Sequence, residues 1–312
     1  MLESLINKYI YIINYPVDEM SLAKLELRCL FGEEDRDKCI ISDNMISPSV
    51  SPFIKERIIV QYEEDSFENL LDKISEKGIM CEDFKVNFLK NHLCSIEHDD
   101  RLRMIKGIGM VIKGEADIYN PKVEFGVGFI YDKWVFGEYI KHNNEWNIHN
   151  KKPSTYSNSL GYRVARNLVN IATCGDYSLS LIDPCCGVGT VLLEAESLGV
   201  TACGYEIKQM VGEKAKTNLK FFGYKDVVTI QDMHMINNIY DTCIIDLPYG
   251  LFGKITKDEQ ENIIITARKI SKKMVIVTYE EMDDMIISSG FNIIDRCTVS
   301  KSKFKRYITV CI

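Results

Sequence analysis

Two loops in the second half of the chain carry residues whose types and spacing can do chemistry. They are Asp183-Pro184-Cys185-Cys186-Gly187-Val188-Gly189-Thr190 and Asp246-Leu247-Pro248-Tyr249-Gly250, whose first residues lie 63 positions apart. In the first, Gly187 and Gly189 let the backbone approach a ligand closely, and Asp183 offers a negative charge suited to an ammonium group. Leu192 stands where the third glycine of a dinucleotide fingerprint belongs, which weakens a pyrophosphate reading. Further on, Glu206 follows Gly204-Tyr205 at the place of an acidic residue that accepts hydrogen bonds from ribose hydroxyls. Asp232 ends the next strand-like run and is placed to face an adenine amine. The ordered set Asp183, Pro184, Gly187, Gly189, Thr190, Glu206 and Asp232 therefore reads as a cradle for a nucleoside cofactor bearing a cationic amino acid. Taken singly, Asp183 and Asp232 are equally well read as caps of the helix or turn that follows.

The second loop suits an exocyclic amine. Such an amine is a poor nucleophile because its lone pair is delocalised into the ring. Accepting both of its N–H hydrogens, from the Asp246 carboxylate and the Leu247 carbonyl, localises that lone pair. Pro248 fixes the turn, and Tyr249 offers a face for a planar base. With a sulfonium donor neither a metal nor a covalent nucleophile is needed, since the leaving group is already good and catalysis is mainly positioning. The two loops together point to methyl transfer from S-adenosylmethionine to an amine.

These loops need elements to hold them. Each follows an apolar run that reads as a buried strand, Leu179 to Ile182 and Cys243 to Ile245, so both are expected at the carboxyl edge of a parallel sheet. Helical patterns at 190–198 and 209–222 alternate with strand patterns at 227–231 and 273–279, and a helix is expected over 280–289. Two last strands, 291–299 and 305–312, are joined by so short a turn that they must form an antiparallel hairpin. The fold class expected is α/β, a Rossmann-like domain. Ahead of it, strand-like runs at 9–13 and 58–60 and an amphipathic helix at 66–77, with Phe67, Leu70, Leu71 and Ile74 on one face, suggest an α+β region. The polar stretch 143–153 reads as a linker, giving domains 1–150 and 151–312.

Charge divides the same way. Of the 38 Lys+Arg and 45 Asp+Glu, the first hundred residues hold 11 and 21, leaving 27 and 24 for the rest. The net charge of -7 is thus an amino-terminal property, and Glu33-Glu34-Asp35 and Glu63-Glu64-Asp65 read as solvated faces. Phosphate-binding surfaces want clustered cations, offered instead by Lys151 and Lys152, Arg163 and Arg166, and Lys301, Lys303, Lys305 and Arg306. The last set is also how an aggregation-resistant edge strand is built. No apolar run is long enough for a membrane span, and the opening residues lack a signal-peptide cleavage pattern. Eleven irregularly spaced cysteines fit reduced, cytoplasmic thiols better than a disulfide framework. His92, Cys94 and His98 lack a fourth ligand at metal-site spacing, so no metal is expected.

The two loops, with Pro153-Ser154-Thr155-Tyr156-Ser157 and the block Arg163 to Ala172, resemble the THUMP-associated RNA methyltransferases, and within them the subgroup that makes N2-methylguanosine at position ten of tRNA. Residues 116–125 and 134–138 resemble the end of that family's THUMP region and its connection to the catalytic domain. The resemblance implies a class I methyltransferase domain behind an α+β THUMP-like region that places RNA. Asp183, Gly187, Glu206 and Asp232 carry over to the cofactor; Asp246, Pro248 and Tyr249 carry over to the acceptor. Where the family pattern has D-P-P-Y this chain has D-L-P-Y, and the change falls on the residue whose expected contribution is a backbone carbonyl. A small activating protein partner is compatible with this reading. DNA adenine-N6 methylation, which uses the same acceptor logic, and a non-catalytic cofactor-binding or assembly subunit are the alternatives.

Overall fold

The computed structural model describes residues 8–90, 95–155, 159–248, 255–301 and 304–312. In chain order its elements are β1 (Tyr9–Ile13), α1 (Met20–Phe31), β2 (Cys39–Ser42), β3 (Ile54–Glu64), α2 (Phe67–Lys77), β4 (Phe84–Phe88), α3 (His98–Val111), β5 (Val123–Ile130), β6 (Lys133–Lys141), α4 (Tyr162–Thr173), β7 (Ser180–Asp183), α5 (Thr190–Ser197), β8 (Thr201–Glu206), α6 (Gln209–Phe221), β9 (Val228–Ile230), β10 (Tyr240–Asp246), α7 (Lys257–Ile270), β11 (Ser271–Thr278), α8 (Asp283–Ser288), β12 (Ile293–Lys301) and β13 (Phe304–Cys311). They fall into two compact units. One comprises Met1–Asn14, Glu34–Ser49 and Phe53–Asn143; the other comprises Tyr15–Glu33, Val50–Pro52 and Asn144–Ile312.

The first unit is an α+β sheet of order β2-β1-β3-β6-β5-β4, antiparallel except for the β4/β5 pair. The face expected on α2 is the one it buries: Leu70 and Ile74 are fully covered, packed with Phe84, Phe125 and Phe136. Its ends follow from local chemistry, since the Ser66 side chain accepts from the Asn69 N–H and Gly78 takes the left-handed conformation after Lys77. The acidic runs lie at the surface, where Glu63 pairs with Lys8 and Asp65 with Lys133.

The second unit is built on a seven-stranded sheet of order β12-β13-β11-β10-β7-β8-β9. The five strands from β9 to β11 are parallel, and the central β7, β10 and β11 carry apolar runs buried on both faces. β13 enters antiparallel beside β11, and β12 pairs with it in the expected hairpin. The class is Rossmann-like α/β.

Two segments differ from their sequence reading. The stretch read as a linker is a packed 3-10 turn, Glu145–Lys151, with Trp146 and His149 buried. Three positions apart on a tight turn, these two side chains point the same way, and His149 Nδ1 meets Glu194 at 2.8 Å while Nε2 meets the Tyr224 hydroxyl at 3.1 Å. Residues 15–33, placed by sequence with the amino-terminal region, belong to the second unit. There Glu26 of α1 is wholly buried and accepts hydrogen bonds from Ser51 and Asn170, and Arg28 grips Asp295 through two bonds of 2.8 Å. Composition gives no sign of such an excursion, because it is made by long-range partners.

Candidate active site at the switch point of the sheet

β7 and β10 are neighbours in the sheet although α5, β8, α6 and β9 lie between them in sequence. At such a switch point successive crossovers leave in opposite directions, and the gap at the carboxyl ends of the strands is where open α/β sheets bind ligands. Asp183 ends β7 and Asp246 ends β10, so the sheet brings the two loops together.

Asp183 is 4% exposed, and its Oδ1 accepts from the Cys185 N–H at 3.3 Å. Burial pushes its carboxyl up to about 8; the Cys185 amide works against this, and the nearby charges of Asp246 and Glu206 add to it. Gly187 and Gly189 have φ of 54° and 78°, left-handed values that suit glycine, and the space beside Gly187 is open to a ligand. Glu206, at the end of β8, reaches across to accept from the Gly187 N–H at 3.1 Å and from the Lys208 N–H at 2.8 Å. Its carboxylate thereby fixes the glycine loop while remaining partly accessible. Asp232 accepts from the His234 N–H at 2.9 Å, so the cap reading of this residue describes one of its oxygens. Pro184 and Thr190 are buried in the same loop.

Leu192 shows why the third glycine is not needed. It is fully buried, and a Cβ on Gly204 would come within 2.4 Å of its Cδ1 and 3.0 Å of Cys186. The close approach of loop and strand is provided from β8, and Cys186 packs behind the loop as a small apolar group.

The acceptor loop has a different character. Asp246 Oδ1 is buried and has no hydrogen-bond partner among the described residues. Burial raises this carboxyl to about 6, and the Arg306 guanidinium opposes the rise. The Leu247 N–H donates to the Val277 carbonyl at 3.0 Å and its side chain is buried in the core, which explains why leucine is tolerated there. The Pro248 carbonyl accepts from Gln260 at 3.0 Å. Tyr249 and Gly250 lie outside the described residues. Beside the loop is a pocket of about 320 Å³ lined by Leu247, Ile255, Lys257, Gln260, Thr278, Tyr279, Glu280 and Met282.

Several contacts here escaped the sequence reading. Lys152 Nζ donates to the Thr190 hydroxyl at 2.7 Å, and burial lowers its pKa. Asn218 of α6 ties the Ser154 backbone to the cofactor loop, donating to the Ser154 and Val188 carbonyls and accepting from the Ser154 N–H. Ile207, 65% exposed immediately after Glu206, offers an apolar face beside the cradle. Tyr279 accepts from Arg306 Nε at 3.0 Å and lies under its guanidinium. An isoleucine directly after Glu206 was the one signal the sequence held for this position. Two further cations read as phosphate contacts are otherwise engaged. Arg166 is buried, bonded to Glu194, Ser197 and the Val50 carbonyl, and Arg163 pairs with Glu19. No group of three or more potential metal ligands is present among the described residues, and His92 and Cys94 fall outside them.

Residues 149–289 match the family model described as UPF0020, RMKL-like, methyltransferase domain. This part of the chain is similar to methyltransferase domains. Among curated proteins, the chain is 26% identical over 214 residues to a tRNA (guanine(10)-N2)-dimethyltransferase of Methanothermobacter thermautotrophicus, covering 64% of this chain and 61% of that protein. A protein of the same name from Pyrococcus abyssi is 30% identical over 117 residues, 36% of this chain and 35% of its own length. The chain thus spans less than two thirds of either relative. Among solved structures, TrmN from Thermus thermophilus aligns over 97% of this chain and 99% of its own, at 15% identity and a TM-score of 0.47. Among the described residues no helix is long and apolar enough to cross a membrane.

Proposed function

We propose that the protein is an S-adenosylmethionine-dependent RNA methyltransferase that methylates the N2 exocyclic amine of a guanosine in tRNA. The observation that carries this reading is the buried Asp246 Oδ1, an acceptor without a described partner beside the pocket and next to the glycine cradle. A buried carboxylate oxygen left unpaired costs free energy, so it is suited to a group that arrives with a hydrogen to donate. The two relatives' names supply the choice of amine and RNA.

The cradle fits the donor. Open space beside Gly187 leaves room for it, and the desolvated Asp183 is a carboxyl that a bound ammonium would stabilise in its ionised form. When bound, S-adenosylmethionine supplies a methyl group activated by a sulfonium. Asp183 holds the methionine ammonium, Glu206 the ribose hydroxyls, Asp232 the adenine amine, and Ile207 covers the ring. Pro184, Gly187, Gly189 and Thr190 shape the wall between them. On the acceptor side, the target nucleotide is extruded from its stack, as enzymes that modify bases require. Asp246 and the Leu247 carbonyl take the two N–H hydrogens, Pro248 keeps the turn in place, and Tyr249 stacks on the ring. Since the sulfonium leaves readily, the protein's contribution is alignment and exclusion of water.

The α+β unit, which excludes residues 15–33 and ends at Asn143, is proposed to be THUMP-like and to place the RNA. A reducing, cytoplasmic setting suits the ten described cysteines, all of which are free, and a small activating protein is a proposed partner. The test is incubation with labelled cofactor and unmodified tRNA, duplex DNA or free amines. Label in folded tRNA supports the reading. Label confined to DNA adenine would replace it with the N6 alternative, and cofactor binding without transfer to any acceptor would favour an assembly role.

A further inference from the structure

The pocket beside the acceptor loop has walls pinned by hydrogen bonds, and two side chains on them have hydrogen-bonding capacity that the protein itself does not use. Gln260 of α7 donates from Nε2 to the Pro248 carbonyl at 3.0 Å. A carbonyl can only accept, so this bond fixes which end of the amide is which and leaves Oε1 as the end directed away from Pro248. Among the described residues Oε1 has no partner. Lys257, the first residue of α7, is exposed, and its ammonium forms no ion pair among the described residues. The helix start that carries it is fixed by the capping box of Thr256 and Glu259. On another part of the lining, Thr278 donates its hydroxyl to the Glu280 carbonyl at 2.7 Å. Leu247 lines the same pocket, whose volume of about 320 Å³ is at the lower end for a small-molecule site.

Resting on the function proposed above, we infer that Gln260 and Lys257 select the target base as guanine: Gln260 Oε1 accepts its N1–H, and Lys257 donates to its O6. Guanine presents the 2-amine, N1–H and O6 in a row along one edge. With the amine held by Asp246 and the Leu247 carbonyl, the next two atoms call for an acceptor and then a donor, which the two side chains supply. Adenine held by its own amine would turn the N1 lone pair toward Oε1 and set C2–H against the ammonium. Selection therefore includes a repulsive element as well as an attractive one.

The bond to Pro248 is what makes the glutamine selective. A glutamine free to rotate its amide could serve either base by exchanging its donor and acceptor ends. Turning Gln260 over would set Oε1 against the Pro248 carbonyl oxygen, so that choice is removed. The same bond ties Gln260 to the acceptor turn, which keeps the spacing between the groups that address the amine and the one that addresses N1–H. On the side of Lys257, the amino-terminal end of α7 adds its own partial positive charge.

The test compares unmodified tRNA with the same tRNA carrying 2-aminopurine in place of the guanosine that is methylated. 2-Aminopurine keeps the 2-amine but has a lone pair at N1 and no O6. The unsubstituted full chain should methylate guanosine about 10- to 100-fold faster, measured as kcat/KM. Gln260→Leu and Lys257→Met should each reduce that ratio about fivefold, with S-adenosylmethionine binding by calorimetry unchanged as the check on folding. If Gln260 only held the acceptor turn, its loss would slow both purines alike and the ratio would stay. Equal rates for the two purines with the unsubstituted protein, or a ratio unchanged in either variant, would overturn the assignment while leaving guanosine methylation standing. No methyl transfer to unmodified tRNA would overturn the proposed function itself, and this inference with it.

Discussion

The loop after β7 and the loop after β10 emerge side by side, yet one is closed upon itself and the other is not. On the cofactor side, Asp183 is engaged by the Cys185 amide, Glu206 by the Gly187 and Lys208 amides, and Asn218 pins Val188. On the acceptor side, Asp246 Oδ1 is buried without a described partner. The difference teaches that the two halves of a bisubstrate site can be organised differently. Internal hydrogen bonds set the shape of the loop after β7 in advance, whereas under the proposed function the acceptor half is completed by the substrate's own donors. Interactions made only when the acceptor reacts act on turnover, and those made in the ground state act on binding.

The sharpest way to break the comparison is to remove one carboxylate from each side. Asp246→Ala is expected to lower kcat by roughly 100- to 1,000-fold, the scale seen for loss of a single preorganised polar group, while the Kd for S-adenosylmethionine changes less than about threefold. Glu206→Ala should do the reverse. It loses the proposed ribose contacts and the clamp on Gly187, so calorimetry should show cofactor affinity weakened about 30-fold or more. If Asp246→Ala weakened cofactor binding as much as Glu206→Ala, the two loops would be one unit.

Titration sharpens the same contrast. Asp246, raised to about 6, must be ionised to accept an N–H, so kcat is expected to fall as pH drops through about 6, near tenfold per unit below it. Asp183 has a carboxyl raised from its ordinary 3.8 to about 8 in the folded protein. Its contribution to stability is full below the ordinary value and is lost as pH rises through about 8. Bound cofactor brings an ammonium that favours the ionised form, so binding at neutral pH should release protons, detectable by calorimetry in buffers of different ionisation heat. The cofactor-induced rise in Tm should also be greater at pH 8 than at pH 6. The smallest expected effect comes from Arg306→Leu, which removes the opposing charge near Asp246 and should move the acid limb of kcat upward by up to about one unit.

How much of this was legible in the sequence depended on the range of the interactions involved. The strand ends Asp183, Glu206 and Asp246 were readable because each closes a short strand-like run, and the parallel pairing of those strands follows from helix-strand alternation. The terminal hairpin was readable because Lys301 and Phe304 leave no room for a crossover. What sequence did not disclose were partners brought in from afar. Lys152 and Arg306 were seen as cations, but nothing local tells that one meets Thr190 and the other Tyr279. Arg166 was misread for the same reason, since its burial is set by Glu194 and Val50. Residues 143–153 are polar in composition yet packed, because Trp146 and His149 fall on one side of a tight turn.

The most direct test of the central claim is transfer of labelled methyl from S-adenosylmethionine to unmodified tRNA, followed by digestion to nucleosides and mass spectrometry, run in parallel on the unsubstituted protein and Asp246→Ala with cofactor binding checked for both. The account predicts label in N2-methylguanosine for the unsubstituted protein and almost none for Asp246→Ala, with cofactor bound equally well. Label in another nucleoside, or equal transfer by Asp246→Ala, would contradict it.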